Sequence, residues 1–417
     1  MAPTPLNGKT RALSAAVDQV FSSASNGIFT FAVAVASTPK SFGEIVLMTT
    51  ALVAVLGAQR GAVGTPLLLK SDQTIERIRR EGSFALLAAL SIGFAVLGVI
   101  MALGSAVGLP AVLLAAAAPI VLCQDILRYV AIAEGRPHVA ATWDGVWFLG
   151  TFLLLVSAWL KLATTPWLIG GWAALGLLAL VGMAADFRML PRLNGFGEWV
   201  KAGWQHRVRY GIDAGLEQTT VFLVLAMVAA ILSPSATAAL RGATVLLAPI
   251  AILAAALQLI VISESTRNCA QPRTVWYAAL RWLAGIAALA VVGGVVLCSL
   301  PPSVGAFLLG QSFGPAQRVL PFMVVEYCAT AVMFALGIFL KTFNRSSDVM
   351  RLKIAFLVVT LVTSISAALL FRTASGVAAG LATGTILVSS FGLAYFAPWK
   401  ARGRVVSVDV AAGAVNE

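Results

Sequence analysis

The sequence predicts an all-α polytopic membrane protein, with about twelve transmembrane helices in two pseudo-symmetric six-helix bundles around a central cavity. Composition is the first observation behind this prediction. Hydrophobic residues make up 59% of the 417 residues and charged residues 11%, against about 45–50% and about 25% in soluble domains. The mean hydropathy is +0.93. A soluble fold of this size could not cover so much apolar surface with so few charges.

The apolar residues form runs that are long enough to span a bilayer, which takes about 20 mostly apolar residues. The first, second and seventh runs are the least hydrophobic. The predicted spans are 12–36, 42–68, 83–107, 111–134, 139–161, 165–186, 209–232, 235–261, 275–299, 317–340, 352–371 and 376–398.

The basic residues lie on alternate connections between these spans. If the N-terminus is cytoplasmic, only Lys40, Lys161, Arg318 and Arg372 lie in outer segments. Four more lie inside helices: Arg60, Arg128, Arg241 and Arg281. All the others of the 29 Lys and Arg residues then lie in cytoplasmic segments. This asymmetry predicts that both termini are cytoplasmic, and the net charge of +12 needs no nucleic-acid partner.

A central polar connection divides the chain. The prediction is an N-terminal bundle over 1–186, a cytoplasmic linker over 187–208, a C-terminal bundle over 209–398 and a cytoplasmic tail over 399–417. The linker contains an amphipathic piece, Gly197–Trp204, that is expected to lie on the inner leaflet.

Matching acidic and amide residues in the two halves favour an internal duplication. Asp18-Gln19 recurs as Glu217-Gln218, and Gln59 recurs as Gln258, both at an offset of 199. Asp125 has a counterpart in Glu326 at an offset of 201. Six helices in each half would relate the halves by an axis along the membrane normal.

Polar residues inside the spans are costly and need a reason. Helix 1 carries Asp18, Ser22, Ser25 and Asn26 on one face, with Gln19 beside it. We expect this stripe to face protein or a water-filled cavity. Helix 7 repeats the pattern with Asp213, Glu217 and Thr220, and Gln218 beside Glu217 is a further cavity candidate. The alternative is that the acids of both helices are solvated by headgroups. Glu326 lies deeper and has no basic neighbour in its own helix.

Three intramembrane arginines are candidates for contact with phosphate, because a guanidinium binds phosphate in a bidentate manner. Arg128 could face the cavity, or pair along its own helix with Gln124 or Asp125. Arg60 could instead pair with Asp18 on the neighbouring helix. Arg241 could line the cavity or extend to the outer surface.

The remaining chemistry-bearing residues indicate no enzyme and no cofactor. The cysteines and the two histidines lack metal-ligand spacing, and no phosphate-binding loop is present. A membrane glycosyltransferase or ligase remains a third alternative, but its polar outer loop is missing from the predicted topology.

Several stretches carry a resemblance to a known family. They are Val17-Asp18-Gln19, Phe42-Gly43-Glu44, Gln59-Arg60-Gly61, Thr65-Pro66-Leu67, Gln124-Asp125-Ile126-Leu127-Arg128-Tyr129, Glu134-Gly135-Arg136-Pro137, Asp144, Leu240-Arg241-Gly242, Ala248-Pro249 and Leu308-Leu309-Gly310. The sequence resembles the polysaccharide flippases of the multidrug/oligosaccharidyl-lipid/polysaccharide (MOP) superfamily, with Wzx-like flippases as the most similar subfamily.

The resemblance implies two six-helix bundles in a V whose central cavity opens alternately to each side. It also implies transport of polyprenyl-diphosphate-linked sugars, with basic cavity residues at the pyrophosphate. Arg60, Arg128 and Arg241 fall in matching segments, and candidate coupling or gating acids are Asp18, Asp125, Asp144 and Glu217. Some relatives have fourteen helices and a groove for the lipid tail, whereas this chain has room for twelve.

The expected function is therefore a flippase for a lipid-linked oligosaccharide or polysaccharide precursor in the cytoplasmic membrane. The alternative is a MATE-like, cation-coupled exporter of small organic molecules, whose cavity should be dominated by acids. Candidate partners are the lipid-linked glycan, the bilayer and glycan-assembly enzymes, and the chain is expected to act as a monomer.

Overall fold

The computed structural model describes residues 8–69, 74–102, 108–254, 271–343 and 345–396. The helices that it shows are α1 (Gly8–Ala36), α2 (Pro39–Gln59, continued to Leu68), α3 (Ile75–Ala102), α4 (Leu109–Ala133), α5 (Pro137–Trp159), α6 (Thr165–Phe187), α7 (Phe196–Ile231), α8 (Pro234–Leu246, continued over Ala248–Ala254), α9 (Pro272–Cys298), α10 (Pro302–Leu309), α11 (Phe313–Thr342), α12 (Ser346–Phe371) and α13 (Ala374–Phe396).

The all-helical class predicted from composition is confirmed. Over the described ranges, eleven helical segments are long and apolar enough to cross a membrane, with α10 and α11 counted as one segment. The two parts of α8 meet at an angle of 53°, and counting them as one broken span raises the number to twelve. The last part of the predicted eighth span, including Gln258, lies outside the described residues.

α3 and α7 begin well before their predicted spans, because charged turns outside the bilayer are still helical. The predicted linker 187–208 is mostly helix: α6 ends at Phe187 and α7 begins at Phe196. Gly195 precedes α7 with φ of 88°, in the region that favours glycine. α3 begins at Ile75 instead of 83, and its first turns are held by the buried side chain of Ile78.

α2 is interrupted by a π-helical turn over Arg60–Gly64. Pro66 lacks the N–H that would continue the α-helical ladder. The carbonyl of Arg60 accepts from the backbone N–H of Thr65, five residues further along the chain, and the Thr65 hydroxyl also donates to it at 3.0 Å. The extra residue changes the direction in which the side chain of Arg60 leaves the helix.

The helices form two lobes that meet along α2, α7 and α8. In the first lobe α1 packs on α5, α3 on α4, and α4 on α6. In the second, α12 packs on α13, α11 on α9 and α13, and α7 on α12. We call the end of the bundle where α1 begins and α2 ends the proximal end, and the opposite end the distal end.

Small residues let the lobes approach closely at the proximal end. A Cβ atom on Gly57 would lie 3.2 Å from the Gln218 side chain. One on Gly215 would lie 3.0 Å from the side chain of Ala58. One on Gly61 would overlap the backbone carbonyl of Tyr210. This α2–α7 contact therefore brings backbone against backbone.

The lobes also touch at the distal end. The Trp159 indole stacks on Phe307 with ring centroids 4.3 Å apart and donates to the Phe307 carbonyl at 2.8 Å. Gly43 on α2 lies directly against the backbone of Pro234 at the start of α8. α2 thus contacts the second lobe at both of its ends.

Candidate functional site

A buried charge cluster in the first lobe is centred on Arg128 of α4. Its guanidinium contacts Asp18 of α1 at 2.8 Å, Asp125 of α4 at 3.2 Å and Asp144 of α5 at 3.1 Å. Arg128 is 6% exposed, and each of the three acids is 2% exposed or less. One guanidinium therefore holds carboxylates from three helices together inside the lobe.

Arg60 joins this cluster from α2. Its Nη2 donates to Asp125 Oδ1 at 2.7 Å, and its Nε lies within 3.1 Å of both Asp125 oxygens. Asp125 therefore bridges two arginines. The side chain of Arg60 is 34% exposed, far more than the 7% of the Arg128 side chain.

Amide side chains complete the first-lobe cluster. Gln59 Nε2 donates to the Leu122 carbonyl at 2.8 Å. Gln124 Nε2 donates to Asp144 Oδ1. Gln19 Oε1 accepts from Arg128 Nη2 at 3.4 Å. Asp18 Oδ1 is buried and has no hydrogen-bond donor within the described ranges.

The structure decides between several alternatives left open by the sequence. The pairing of Arg128 with Asp125 along α4 is confirmed. The pairing of Arg60 with Asp18 is wrong, because the π turn directs Arg60 to Asp125 and Asp18 contacts Arg128 instead. Headgroup solvation is also wrong for Asp18, which is 1% exposed.

The polar stripe of α1 faces protein over part of its length, as predicted. Ser25 is buried, and its hydroxyl lies 3.1 Å from that of Thr151 on α5. Asn26 is not part of the cluster. Its side chain is exposed and donates to the Ser22 carbonyl of its own helix at 3.1 Å.

A cavity of about 330 Å³ lies inside the second lobe, between α7, α8, α9, α11, α12 and α13. Its polar lining includes Glu217, Arg241, Glu326, Tyr327 and Thr330. Thr330 donates to Glu326 Oε1 at 3.0 Å. The cavity thus brings together an arginine and two acids from three helices, and apolar side chains form most of the remaining wall.

Arg241 has no hydrogen-bond or ion-pair partner among the described residues. Its Nε is fully buried without an acceptor. The side chain lines this cavity inside the second lobe. The sequence placed it in a cavity between the two bundles, and that placement stays a prediction. A buried guanidinium nitrogen without an acceptor is unusual, since nearly all buried polar groups in proteins are hydrogen-bonded.

A second cavity of about 140 Å³ continues towards the proximal end and shares Glu217, Thr220 and Thr330 with the first. Lys341 and Lys353 line it. The Lys353 ammonium donates to Asp213 Oδ1 at 2.9 Å and to the Asp213 carbonyl at 2.9 Å. Asp213 is therefore paired at the proximal end.

Several lining residues could not be identified from the sequence. Tyr327 and Thr330 follow Glu326 on α11, and the i,i+4 spacing of Thr330 to Glu326 was the available signal. Gln218 was a candidate for the cavity, but it lies at the α2–α7 contact instead, against Gly57. The acids and arginines are thus divided between two sites, one in each lobe.

Solved structures of similar fold are MATE transporters of the MOP superfamily. The inward-facing conformation of a multidrug resistance MATE family transporter matches with a TM-score of 0.67 and 14% identity, covering 90% of this chain and 93% of that one. An outward-facing conformation of such a transporter matches with a TM-score of 0.61 and 16% identity, covering 93% and 94%. A MOP superfamily transporter from Pyrococcus furiosus, reported to have a binding pocket of reverse polarity, matches with a TM-score of 0.57 and 15% identity, covering 94% and 95%. No protein-family model and no curated protein matches the sequence.

The chain has the fold of MATE transporters. Its long apolar helices make it a multi-pass membrane protein. This fold is the one that the resemblance to the MOP superfamily implies, while membership in that superfamily and in its Wzx-like subfamily stays a prediction.

Proposed function

We propose that the chain is an alternating-access flippase that moves a polyprenyl-diphosphate-linked oligosaccharide or polysaccharide precursor across the cytoplasmic membrane, with both termini in the cytoplasm. The observation that carries this proposal is the position of Arg241 in the second-lobe cavity, without a hydrogen-bond acceptor for its Nε. A guanidinium without an acceptor lines an apolar cavity inside a membrane lobe, and a diphosphate supplies the missing acceptors in a geometry that suits arginine.

The three arginines have different parts in this proposal. Arg241 is the first contact for the diphosphate, because it has no competing carboxylate within hydrogen-bond distance among the described residues. Arg60 is the second candidate, because a third of its side chain is exposed. Arg128 is surrounded by Asp18, Asp125 and Asp144, so we assign it to holding the acids and not to the substrate.

The first-lobe cluster is the proposed coupling site. It places three carboxylates around two guanidinium groups, so one acid is in excess. An unbalanced carboxylate is costly inside a membrane, and the cost is removed by binding a proton or a cation. Binding and release of this proton or cation would change the electrostatic attraction between α1, α4 and α5. Substrate transport would in this way be coupled to movement of the ion. Glu217 and Glu326 are the corresponding acids in the second lobe.

The substitution Arg241→Gln tests the diphosphate contact. We expect the rate at which reconstituted protein moves a diphosphate-linked glycolipid between leaflets to fall at least about tenfold, the loss expected for charge-assisted hydrogen bonds. Arg281→Gln is the matched control, because Arg281 is an exposed arginine of α9 that does not line the cavity. Equal rates for Arg241→Gln and the unsubstituted protein would contradict the proposal.

A specific observation also favours the second candidate, a MATE-like exporter of small organic cations. Glu217 and Glu326 line the same cavity as Arg241, and the first-lobe cluster has an excess of acid. For such an exporter, Glu326→Gln should abolish accumulation of a fluorescent organic cation in inverted vesicles, and Arg241→Gln should leave it unchanged or raise it. That pair of results would replace the flippase proposal.

A further inference from the structure

A surface groove at the proximal end of the protein is separate from both the first-lobe charge cluster and the second-lobe cavity. It runs between the first turns of α3 and the first turns of α7, and its volume is about 400 Å³. Its lining includes Arg77, Glu81, Trp199, His206 and Arg207. The proposed function uses none of these residues.

The position of the groove follows from the length of α7. This helix has 36 residues, which corresponds to about 54 Å at 1.5 Å per residue. The hydrocarbon core is about 30 Å thick, so about the first fifteen residues of α7 extend beyond it. Trp204 on this extension is 60% exposed, and Leu193 just before it is 77% exposed. Exposed aromatic and aliphatic side chains next to basic ones are typical of the headgroup region.

The polar groups that line the groove include donors without acceptors. The Arg207 guanidinium lies 3.5 Å above the ring of Trp199. Arg207 Nε and Nη1 are buried and have no hydrogen-bond partner among the described residues, and the same is true of Trp199 Nε1. Three neighbouring buried donors without an acceptor need an explanation, and a ligand rich in oxygen acceptors supplies one.

The charge of the groove selects the class of ligand. Glu81 lies 3.6 Å from Arg77 and also interacts electrostatically with Arg207, so it offsets about one of the two arginine charges. The two arginines and Glu81 together give the lining a net charge of about +1. A ligand that carries one negative charge and several acceptor oxygens balances this charge, and in the headgroup region such a group is the phosphate of an anionic phospholipid.

We propose that this groove binds the phosphate of an anionic phospholipid headgroup, with Arg207 and Trp199 as its donors. The stacking of Arg207 on Trp199 fixes the guanidinium plane, so that its edge can face the phosphate. Because the extension and the lobe-connecting part of α7 are one continuous helix, a lipid held here anchors the second lobe to one leaflet. This site is independent of the transported substrate.

Native mass spectrometry of the full-length protein, titrated with phosphatidylglycerol and separately with phosphatidylcholine, tests the proposal. We expect the unsubstituted protein to bind phosphatidylglycerol about tenfold more tightly, and Arg207→Gln to remove this preference. Trp199→Phe keeps the stacked ring but removes the N–H, so it should weaken binding by a few-fold and provides a second variant if Arg207→Gln does not fold.

Arg209→Gln is the matched control, since Arg209 is an exposed arginine of the same helix that does not line the groove. An equal loss of phosphatidylglycerol binding in Arg207→Gln and Arg209→Gln would show diffuse attraction to surface charge and would overturn the proposal. Displacement of the lipid by millimolar inorganic phosphate would overturn it as well, because the site would then be one for free anions. Neither result depends on whether the protein transports a glycolipid.

Discussion

Replacing Arg128 with methionine is expected to destabilise the protein by about 3–5 kcal/mol, the cost of leaving buried charges without their partner. The guanidinium contacts Asp18, Asp125 and Asp144 at 2.8, 3.2 and 3.1 Å, and all four side chains are buried. Methionine fills a similar volume but neutralises none of the acids. Thermal unfolding in detergent, followed by the loss of monodisperse protein on gel filtration, measures the effect.

A double substitution separates the effect of losing the Arg128 charge from the effect of changing the side-chain packing. Arg128→Met combined with Asp144→Asn removes one acid along with the arginine, so it should recover part of the lost stability. Arg209→Met is the control for the substitution itself, because Arg209 is exposed on α7. If Arg128→Met unfolds at the temperature of the unsubstituted protein yet no longer transports, then Arg128 acts on the substrate and our assignment of it is wrong.

The cluster shows how far the sequence could predict the site. The three-residue spacing of Asp125 and Arg128 predicts a pair along one helix face, and the structure has it. The contact from Asp18 spans 110 residues of chain, and no local pattern reports a contact at that separation. Arg60 turns towards Asp125 because of the π turn ahead of Pro66, and an extra residue in a turn cannot be recognised from hydropathy.

The helices themselves were largely predictable, because a bilayer imposes a minimum length on each apolar run. The errors lie at the ends that leave the bilayer. α7 was expected to begin at 209, yet it begins at Phe196, since polar helical turns carry no hydropathy signal. The same limit hid the contact of Arg207 with Trp199, two residues of one helix whose stacking depends on how the arginine folds back along it.

Gly61→Ala is expected to destabilise the α2–α7 contact by about 1–3 kcal/mol, the usual range for overpacking. A Cβ atom at this position overlaps the backbone carbonyl of Tyr210 and would lie 2.8 Å from the Ala214 side chain. A side chain could move aside, but a helix backbone cannot do so without moving the lobe. The substitution should therefore favour conformations in which the proximal ends of the lobes are farther apart.

Spin labels at one exposed position on α3 and one on α12 report the distance between the lobes, and we expect the Gly61→Ala distribution to shift to longer distances. Gly27→Ala is the matched control, because an added Cβ there meets nothing within 4 Å, and alanine is the better helix former. An unchanged distance distribution, with the melting temperature also unchanged, would mean that the α2–α7 contact does not limit how the lobes move. Alternating access would then need a different pivot, and the distal contact of Trp159 with Phe307 would be the next place to test.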